Sequence, residues 1–409
     1  MDFNDSPVEA EYRAKVRAFL SAHYSPYPDG ERAPAFAPVS TDEAVRASQA
    51  WQATKFDAGW ACLTWPKEYG GQNATPIEQV IWSQEESTFQ TPANIFTIGI
   101  GMLGPTIMKH GTAPQKADYL PRLARGDDIW CQLFSEPSAG SDLAGLRTRA
   151  VQDGDEWIVN GQKIWTSGAH YCRYGMVITR SDPSARKHKG LTYFIVDMES
   201  PGIDVRQIRQ INGAANFNEV FFDDVRIPDR NRVGEIGGGW TAALTTLMNE
   251  RATISSVGLG GFGPQNLLKL AMEVDSYRER AIDDVAVRQT LADFFVTASG
   301  LSYTAYRTLT AISKGEVPGA ESSINKMVGG ALRQRMAEYG MELQGIAGTV
   351  MDPDFQCQAQ YLGSPGSRIA GGSDEIMRNI VAERVLGLPA DIRVDKELPF
   401  NELPKGTKG

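Results

Sequence analysis

Four histidines and four cysteines are all that this 409-residue sequence offers for metal or thiol chemistry. Cys62, Cys131, Cys172 and Cys357 form no Cys-x-x-Cys pair, which excludes a disulfide framework or a zinc-like spacing. His23, His110, His170 and His188 lie far apart, with no His-Glu-x-x-His pattern, so no metal site is expected. Histidine is the commonest general base, and its scarcity leaves that role to be filled by another residue. Positive charge is also short. The 41 Lys and Arg face 50 Asp and Glu, a net charge of −9. A protein whose main ligand is a nucleic-acid backbone is normally basic, so no nucleic-acid partner is expected. No apolar run reaches the roughly 20 residues that span a bilayer. The first residues are acidic and amphipathic, unlike a secretory signal. The expectation is a cytoplasmic protein with reduced thiols and no membrane span.

What is present is ordinary globular composition, with 42% hydrophobic and 22% charged residues. The length suggests about two to three domains. Glycine is abundant at 41 residues, about a tenth of the chain against a usual ~7%.

The first third carries a helical period. Val8, Tyr12, Val16, Phe19 and Leu20 recur at steps of four and three. The segments 41–60, 76–89 and 114–123 read the same way, and Thr75-Pro76 supplies an N-cap and a first-turn proline. Near Asp127 the pattern turns to strand. Residues 129–134, 174–179, 191–196 and 219–222 are apolar β-rich runs, and Asn160-Gly161 between two such runs predicts a hairpin turn. After Gly237-Gly238-Gly239 the helical period returns. Val287, Leu291, Phe294, Ala298, Leu301, Ala305 and Ile312 form one apolar stripe, and 321–345 and 374–386 also read as helices. The order predicts a mainly α protein with a central β-domain, divided at 1–126, 127–237 and 238–409. This segregation argues against alternating βαβ units. Gly258-Leu-Gly260-Gly-Phe-Gly263 matches Gly-x-Gly-x-x-Gly, but it follows a helical stretch where a nucleotide loop needs a strand. It reads as close packing of glycines in a helical bundle, and a Rossmann nicotinamide enzyme is a distant reading.

Three segments carry a joint signature. They are Gln132-Leu-Phe134-Ser135-Glu136-Pro137-Ser-Ala-Gly140-Ser141-Asp142, Asn160-Gly-Gln-Lys163-Ile-Trp165-Thr166-Ser167-Gly168, and Ala370-Gly371-Gly372-Ser373-Asp374-Glu375-Ile376 with Arg378-Asn379. In this order the chain resembles the acyl-CoA dehydrogenase family along its whole length. The resemblance implies an N-terminal helical domain, a β-barrel or sandwich middle domain and a C-terminal four-helix bundle, with FAD as cofactor. It implies that backbone groups around Gln132 and Phe134, the Ser135 hydroxyl, Trp165, Thr166 and Ser167 line the flavin. Ser373 and Glu375 belong to the implied cofactor set as well. Ser141 would lie by the CoA side and contact both cofactor and substrate. The chemistry suits these residue types: small polar residues let backbone amides approach a ring, and an indole offers a flat apolar wall.

The family's reaction removes an α-proton from an acyl-CoA thioester while hydride leaves Cβ for the flavin. A carboxylate is an adequate base because the activated carbonyl acidifies that proton. In straight-chain members the base precedes a Gly-Thr or Gly-Ser pair in the terminal motif. That position here is Gly371, which carries no acid, although its amide can still bond the thioester oxygen. Members such as the isovaleryl-CoA and long-chain enzymes carry Glu-Arg on the first long helix after the β-domain. Here that pair is Glu250-Arg251, which implies Glu250 as base and Arg251 as a CoA-chain contact or orienting cation. Ala370-Gly371 removes bulk over the acyl site and implies a branched or bulky acyl group, including a steroid side chain.

Two family features are altered. The Arg-x-x-Phe-Gly motif that reaches a neighbour's FAD is replaced by Arg278-Glu-Arg280-Ala-Ile-Asp283-Asp284, and Gln-x-x-Gly-Gly by Gln344-Gly345-Ile-Ala-Gly348. The resemblance extends to the heteromeric, sterol-degrading type of actinobacteria. It implies a heterotetramer with a homologous subunit, with electron-transfer flavoprotein as acceptor. A homotetramer in which Arg280 or Arg288 replaces the missing arginine is the alternative. An oxygen-using oxidase on the same fold and a non-catalytic flavin-binding or regulatory subunit are the competing functions.

Overall fold

Helix starts follow the capping residues. The computed structural model describes residues 5–28, 41–256, 262–276, 279–313, 323–351, 357–390, 392, 395 and 397–403. Helix α1 (Pro7–Ser21) opens on Ser6 and Glu9 in a reciprocal capping box, and α2 (Asp42–Asp57) opens on Thr41. Helix α3 (Pro76–Glu86) pairs Thr75 with Glu78 in the same way. After α4 (Gly104–His110), Thr112 and Gln115 cap α5 (Ala113–Arg125), which Gly126 ends at φ +84°. Each box satisfies amides that a first helical turn leaves without partners.

Eight strands follow: β1 (Trp130–Leu133), β2 (Arg149–Asp153), β3 (Glu156–Ser167), β4 (Tyr174–Arg180), β5 (Leu191–Asp197), β6 (Ile203–Ile208), β7 (Phe217–Pro228) and β8 (Arg232–Val233). Helices then resume as α6 (Gly239–Ser256), α7 (Pro264–Glu273), α8 (Val285–Ser313), α9 (Ser323–Leu343), α10 (Cys357–Ile369) and α11 (Asp374–Arg384). The mainly α architecture with a central β-block is thus what the chain builds. Gly258 to Gly261 of the glycine motif lie outside the described residues.

The chain forms two compact units. One unit spans 1–37, 74–91 and 254–389. In it Glu85 of α3 is buried and receives Arg13 at 3.0 Å and Arg17 at 2.9 Å, both from α1. Helices α7 to α10 share an apolar core of Leu267, Leu270, Leu291, Phe294, Met336 and Cys357.

The other unit spans 38–73, 92–253 and 390–409. Its sheet runs β6-β7-β3-β2-β4-β5-β8, with β1 parallel to β4. Both faces are covered, which explains the unbroken apolar runs of β4 and β5. Met176, Ile178, Tyr193 and Ile195 point into a core shared with Leu103, Leu120 and Ala242. The alternate residues Val177, Phe194 and Val196 point into a second core with Val159, Val220 and Val225.

The Asn160-Gly161 hairpin does not form. Strand β3 runs straight through it, and the turn falls at Gly154-Asp155, between the paired residues Asp153 and Glu156. Gly154 supplies the positive φ that this turn needs, +64°. Asn160-Gly161 makes a bulge instead, with a register shift against β7 between Val159 and Gly161. The Asn160 side chain donates to Asp224 Oδ1 and accepts from the Asp224 amide, both at 2.9 Å. A Cβ on Gly161 would stand 2.7 Å from Thr148 Cα, so the same glycine that resembles a turn residue is there for close approach of two strands.

Candidate functional site

The first two signature segments meet through a buried ion pair. Lys163 projects from β3 with no solvent exposure and places Nζ 2.9 Å from Glu136 Oε1 and 3.0 Å from the Phe134 carbonyl oxygen. Glu136 also accepts the amides of Arg147 at 2.6 Å and Thr148 at 2.8 Å. Burial alone would raise the Glu136 carboxyl, but the Lys163 ammonium and these donors outweigh it and hold its pKa below the usual range. The Ile164 amide donates to the Ser135 carbonyl at 2.9 Å, so the loop is tied to β3 beside the ion pair as well.

Trp165 follows directly. Pairing of β3 with β7 shifts register between Lys163 and Thr166, and in that gap Trp165 takes φ +60°. A bulky residue at positive φ is an outlier with a cost of order 1–3 kcal/mol. The result is an indole 55% exposed, in T-shaped contact with Phe217 (centroids 5.9 Å apart, planes at 84°). Thr166 returns to the ladder and its carbonyl accepts Asn218 Nδ2 at 2.8 Å. Its own hydroxyl is buried without a hydrogen-bond partner among the described residues. Ser135 and Ser167 are half-buried, while Ser141 is exposed beside Asp142, which pairs with Lys187 at 2.8 Å. The Phe134 ring lies in the core against Tyr193, so only its backbone is available to a ligand.

Glu250 sits on α6, half-buried, and its Oε2 lies 3.4 Å from Nε2 of Gln132 on β1. The strand that carries Gln132 runs on into the Ser135–Ser141 loop, so the structure brings the expected base and the expected cofactor loop together. Arg251 lies on the same helix, with its side chain outside the described residues. Gly371 and Gly372 form a turn with φ +65° and +91°, and belong to the helical unit. There Ser373 is the N-cap of α11, accepting the Ile376 amide at 3.4 Å, and Glu375 is exposed, 3.5 Å from Arg378. Backbone donors and the Ser373 hydroxyl at this helix start hold the Glu375 carboxyl below its ordinary pKa. Sequence reasoning missed the Glu136–Lys163 pair and the contact between the Gln132 side chain and Glu250. Both residues of the pair stood in the quoted motifs, and a lysine inside a β-run was the available signal.

Known proteins match along the chain. The family models for the acyl-CoA dehydrogenase N-terminal, middle and C-terminal domains match residues 6–127, 131–225 and 237–386. The chain is 36% identical over 396 residues to acyl-CoA dehydrogenase IpdE1 of Mycobacterium tuberculosis, covering 94% of this chain and 98% of that one. It is 39% identical over 356 residues to acyl-CoA dehydrogenase FadE34 of the same organism, covering 87% of this chain. That match takes in 48% of FadE34, so the chain spans about half the length of that relative. Among solved structures, the Tcur3481-Tcur3483 steroid ACAD has a TM-score of 0.79 at 28% identity, covering 96% of this chain and 100% of that one. The ChsE4-ChsE5 complex from Mycobacterium tuberculosis has a TM-score of 0.77 at 30% identity, with coverage of 96% and 100%.

The ion pair makes a sharp stability prediction. Lys163→Met leaves a buried carboxylate without its cation and should cost about 3–5 kcal/mol at pH 7. Glu136 now contributes stability above its unfolded pKa, which is lost as pH falls through its lowered folded value. In the variant burial raises the folded pKa, so protonation on folding relieves the penalty and the gap to wild type should narrow from pH 7 to pH 5. Denaturant midpoints at the two pH values check this, and a gap that widens toward acid would contradict it.

Proposed function

The chain belongs to the acyl-CoA dehydrogenase family, and on that premise we propose that it uses FAD to oxidise the Cα–Cβ bond of a bulky acyl-CoA thioester, with Glu250 as the base. The observation that carries this reading is the 3.4 Å approach of the Glu250 carboxylate to Gln132, on the strand that leads into the loop of the first signature segment. Helix glutamates are ordinarily solvated; Glu250 is half-buried against the sheet.

The residues present fit a flavin. Trp165 offers an exposed flat face held out by backbone strain, and the half-buried hydroxyls of Ser135 and Ser167 flank the same stretch of loop and strand. When bound, FAD supplies the hydride acceptor. The protein's part is to hold the thioester, exclude water and move one proton: Glu250 takes the α-proton on a carboxylate oxygen as the Cβ–H bond breaks. The family resemblance proposes Ser141 for the CoA side, Arg251 as a CoA-chain contact or orienting cation, and the Gly371 amide for the thioester oxygen. Glycine at 371 and alanine at 370 leave room for a branched or polycyclic acyl group. The similarity to the Tcur3481-Tcur3483 steroid ACAD supports that class. Electron-transfer flavoprotein is the proposed acceptor.

We further propose a homologous partner subunit. The arginines available to replace the missing motif, Arg280 and Arg288, are engaged locally. Arg280 pairs with Asp283 at 3.3 Å, and Arg288 donates to the carbonyls of Ile282 at 3.0 Å and Asp283 at 2.7 Å. The helical unit also exposes Val296 (72%) and Ile346 (88%), together with Tyr303, Val350 and Met351.

Three outcomes are expected. Glu250→Gln should keep its flavin yet lose dehydrogenation of a steroid-CoA thioester, read with an artificial electron acceptor. Retained turnover removes Glu250 from the role, and equal or faster turnover of butyryl- or octanoyl-CoA by the unaltered enzyme removes the bulky substrate. Trp165→Gly relieves the positive φ, so thermal stability should stay within about 1 kcal/mol while the flavin-to-protein ratio falls on gel filtration. Stability lost with flavin retained would make the indole a core residue. Finally, the chain purified alone should be flavin-poor and inactive until a homologous subunit is co-expressed. A fully flavinated, active homotetramer would refute the heteromer.

A further inference from the structure

Strand β1 contains one half-buried residue. Trp130, Cys131 and Leu133 are buried, and Gln132 alone is intermediate. Alternation puts Cys131 and Leu133 in one core and Trp130 in the other, which also holds Ala242 and Ala243 of α6. Gln132 therefore shares the face of β1 that looks toward α6, and its amide reaches Glu250 at 3.4 Å.

Helix α6 is not free to turn away. Thr246, four residues before Glu250 and on the same helix face, bonds Thr106 of α4 at 2.8 Å and Tyr193 of β5 at 3.3 Å through its hydroxyl. Thr245 meets His110 Nε2 at 2.8 Å, and its carbonyl accepts Asn249 Nδ2 at 2.9 Å. These bonds fix the helix rotation, and Gln132 is a group on the sheet that meets the side chain of the proposed base.

We infer that Gln132 is a positioning residue for Glu250: its side-chain amide, rather than touching the cofactor, holds the carboxylate toward the acyl group and favours its ionised form. This rests on Glu250 being the base. An amide suits the task because it donates without carrying charge. A hydrogen bond to the ionised carboxylate lowers its pKa, whereas a paired arginine would do so at the expense of basicity. A separation of 3.4 Å is at the long end for a hydrogen bond, and catalytic contacts often tighten only once substrate packs the site.

The test uses the flavin-loaded enzyme, with its partner subunit if one is needed, and a steroid-CoA thioester as probe. It reads the pH profile of kcat and the exchange of the α-hydrogen into D2O. Gln132→Leu should lower kcat and exchange about tenfold to a hundredfold, move the acid limb upward, and leave KM and flavin content within about twofold. Gln132→Glu sets two carboxylates side by side and should raise the acid limb by about one unit or more. An unmoved acid limb in both variants overturns the inference, as does a loss confined to flavin content or thermal stability. Glu250→Gln separates the two levels. If it abolishes exchange while Gln132→Glu leaves the limb in place, only the role of Gln132 fails. If it retains exchange, or if the unaltered enzyme shows none, the base assignment fails and this inference with it.

Discussion

The site depends on one buried ion pair. Lys163 and Glu136 are both withdrawn from water, and neither could be left there alone. Satisfying them commits four pieces of chain: the Phe134 carbonyl at the end of β1, the loop that carries Glu136, the amides of Arg147 and Thr148 that lead into β2, and β3 itself. Such a pair adds little net stability over an apolar substitute of the same shape. What it supplies here is placement. Ser135 precedes Glu136 by one residue and Trp165 follows Lys163 by two, so both stand at distances set by the pair.

Strain at Trp165 follows from that placement. On one side β3 is anchored by Lys163, and on the other by Asn218, which is buried and bonds the Thr166 carbonyl. Between these anchors the register against β7 slips, and the slack is taken up by a single left-handed residue. A flexible loop would have relieved the strain and lost the indole's direction. Rigid neighbours over-determine an unfavourable backbone, and an exposed aromatic face is what they produce.

How much of this was legible in the sequence differs residue by residue. The helices α1, α3 and α8 were readable because period and caps agree: Ser6 with Glu9, Thr75 with Glu78, and the stripe from Val287 onward. The division of helices around a β-block was readable for the same reason. Asn160-Gly161 misled because a bulge and a turn want the same residue pair, and only the opposing strand, with Thr148 packed against Gly161, decides between them. Glu250 could be singled out by resemblance but not by pattern, since a helix glutamate looks alike whether solvated or poised. Its contact with Gln132 joins residues 118 apart, and the Lys163 contact with Glu136 joins residues 27 apart. No periodicity reports pairings at such separations; they exist only once the sheet has formed.

With Glu250 of α6 as the proposed base, the terminal turn is poorly built to carry that role instead. Gly371 holds φ +65° and Gly372 φ +91°. A glutamate returned to 371 would have to enter the left-handed region at a cost of order 1 kcal/mol or more, in a turn whose next residue also favours glycine. On α6 the base instead inherits rigidity from bonds already made, those of Thr245 and Thr246 to His110, Thr106 and Tyr193. A proton acceptor must be held closely to be effective, and a packed helix does this better than a turn. The scarcity of histidine thus has a structural counterpart. His110 is bonded to Thr245 and steadies the helix that carries the proposed base, a carboxylate.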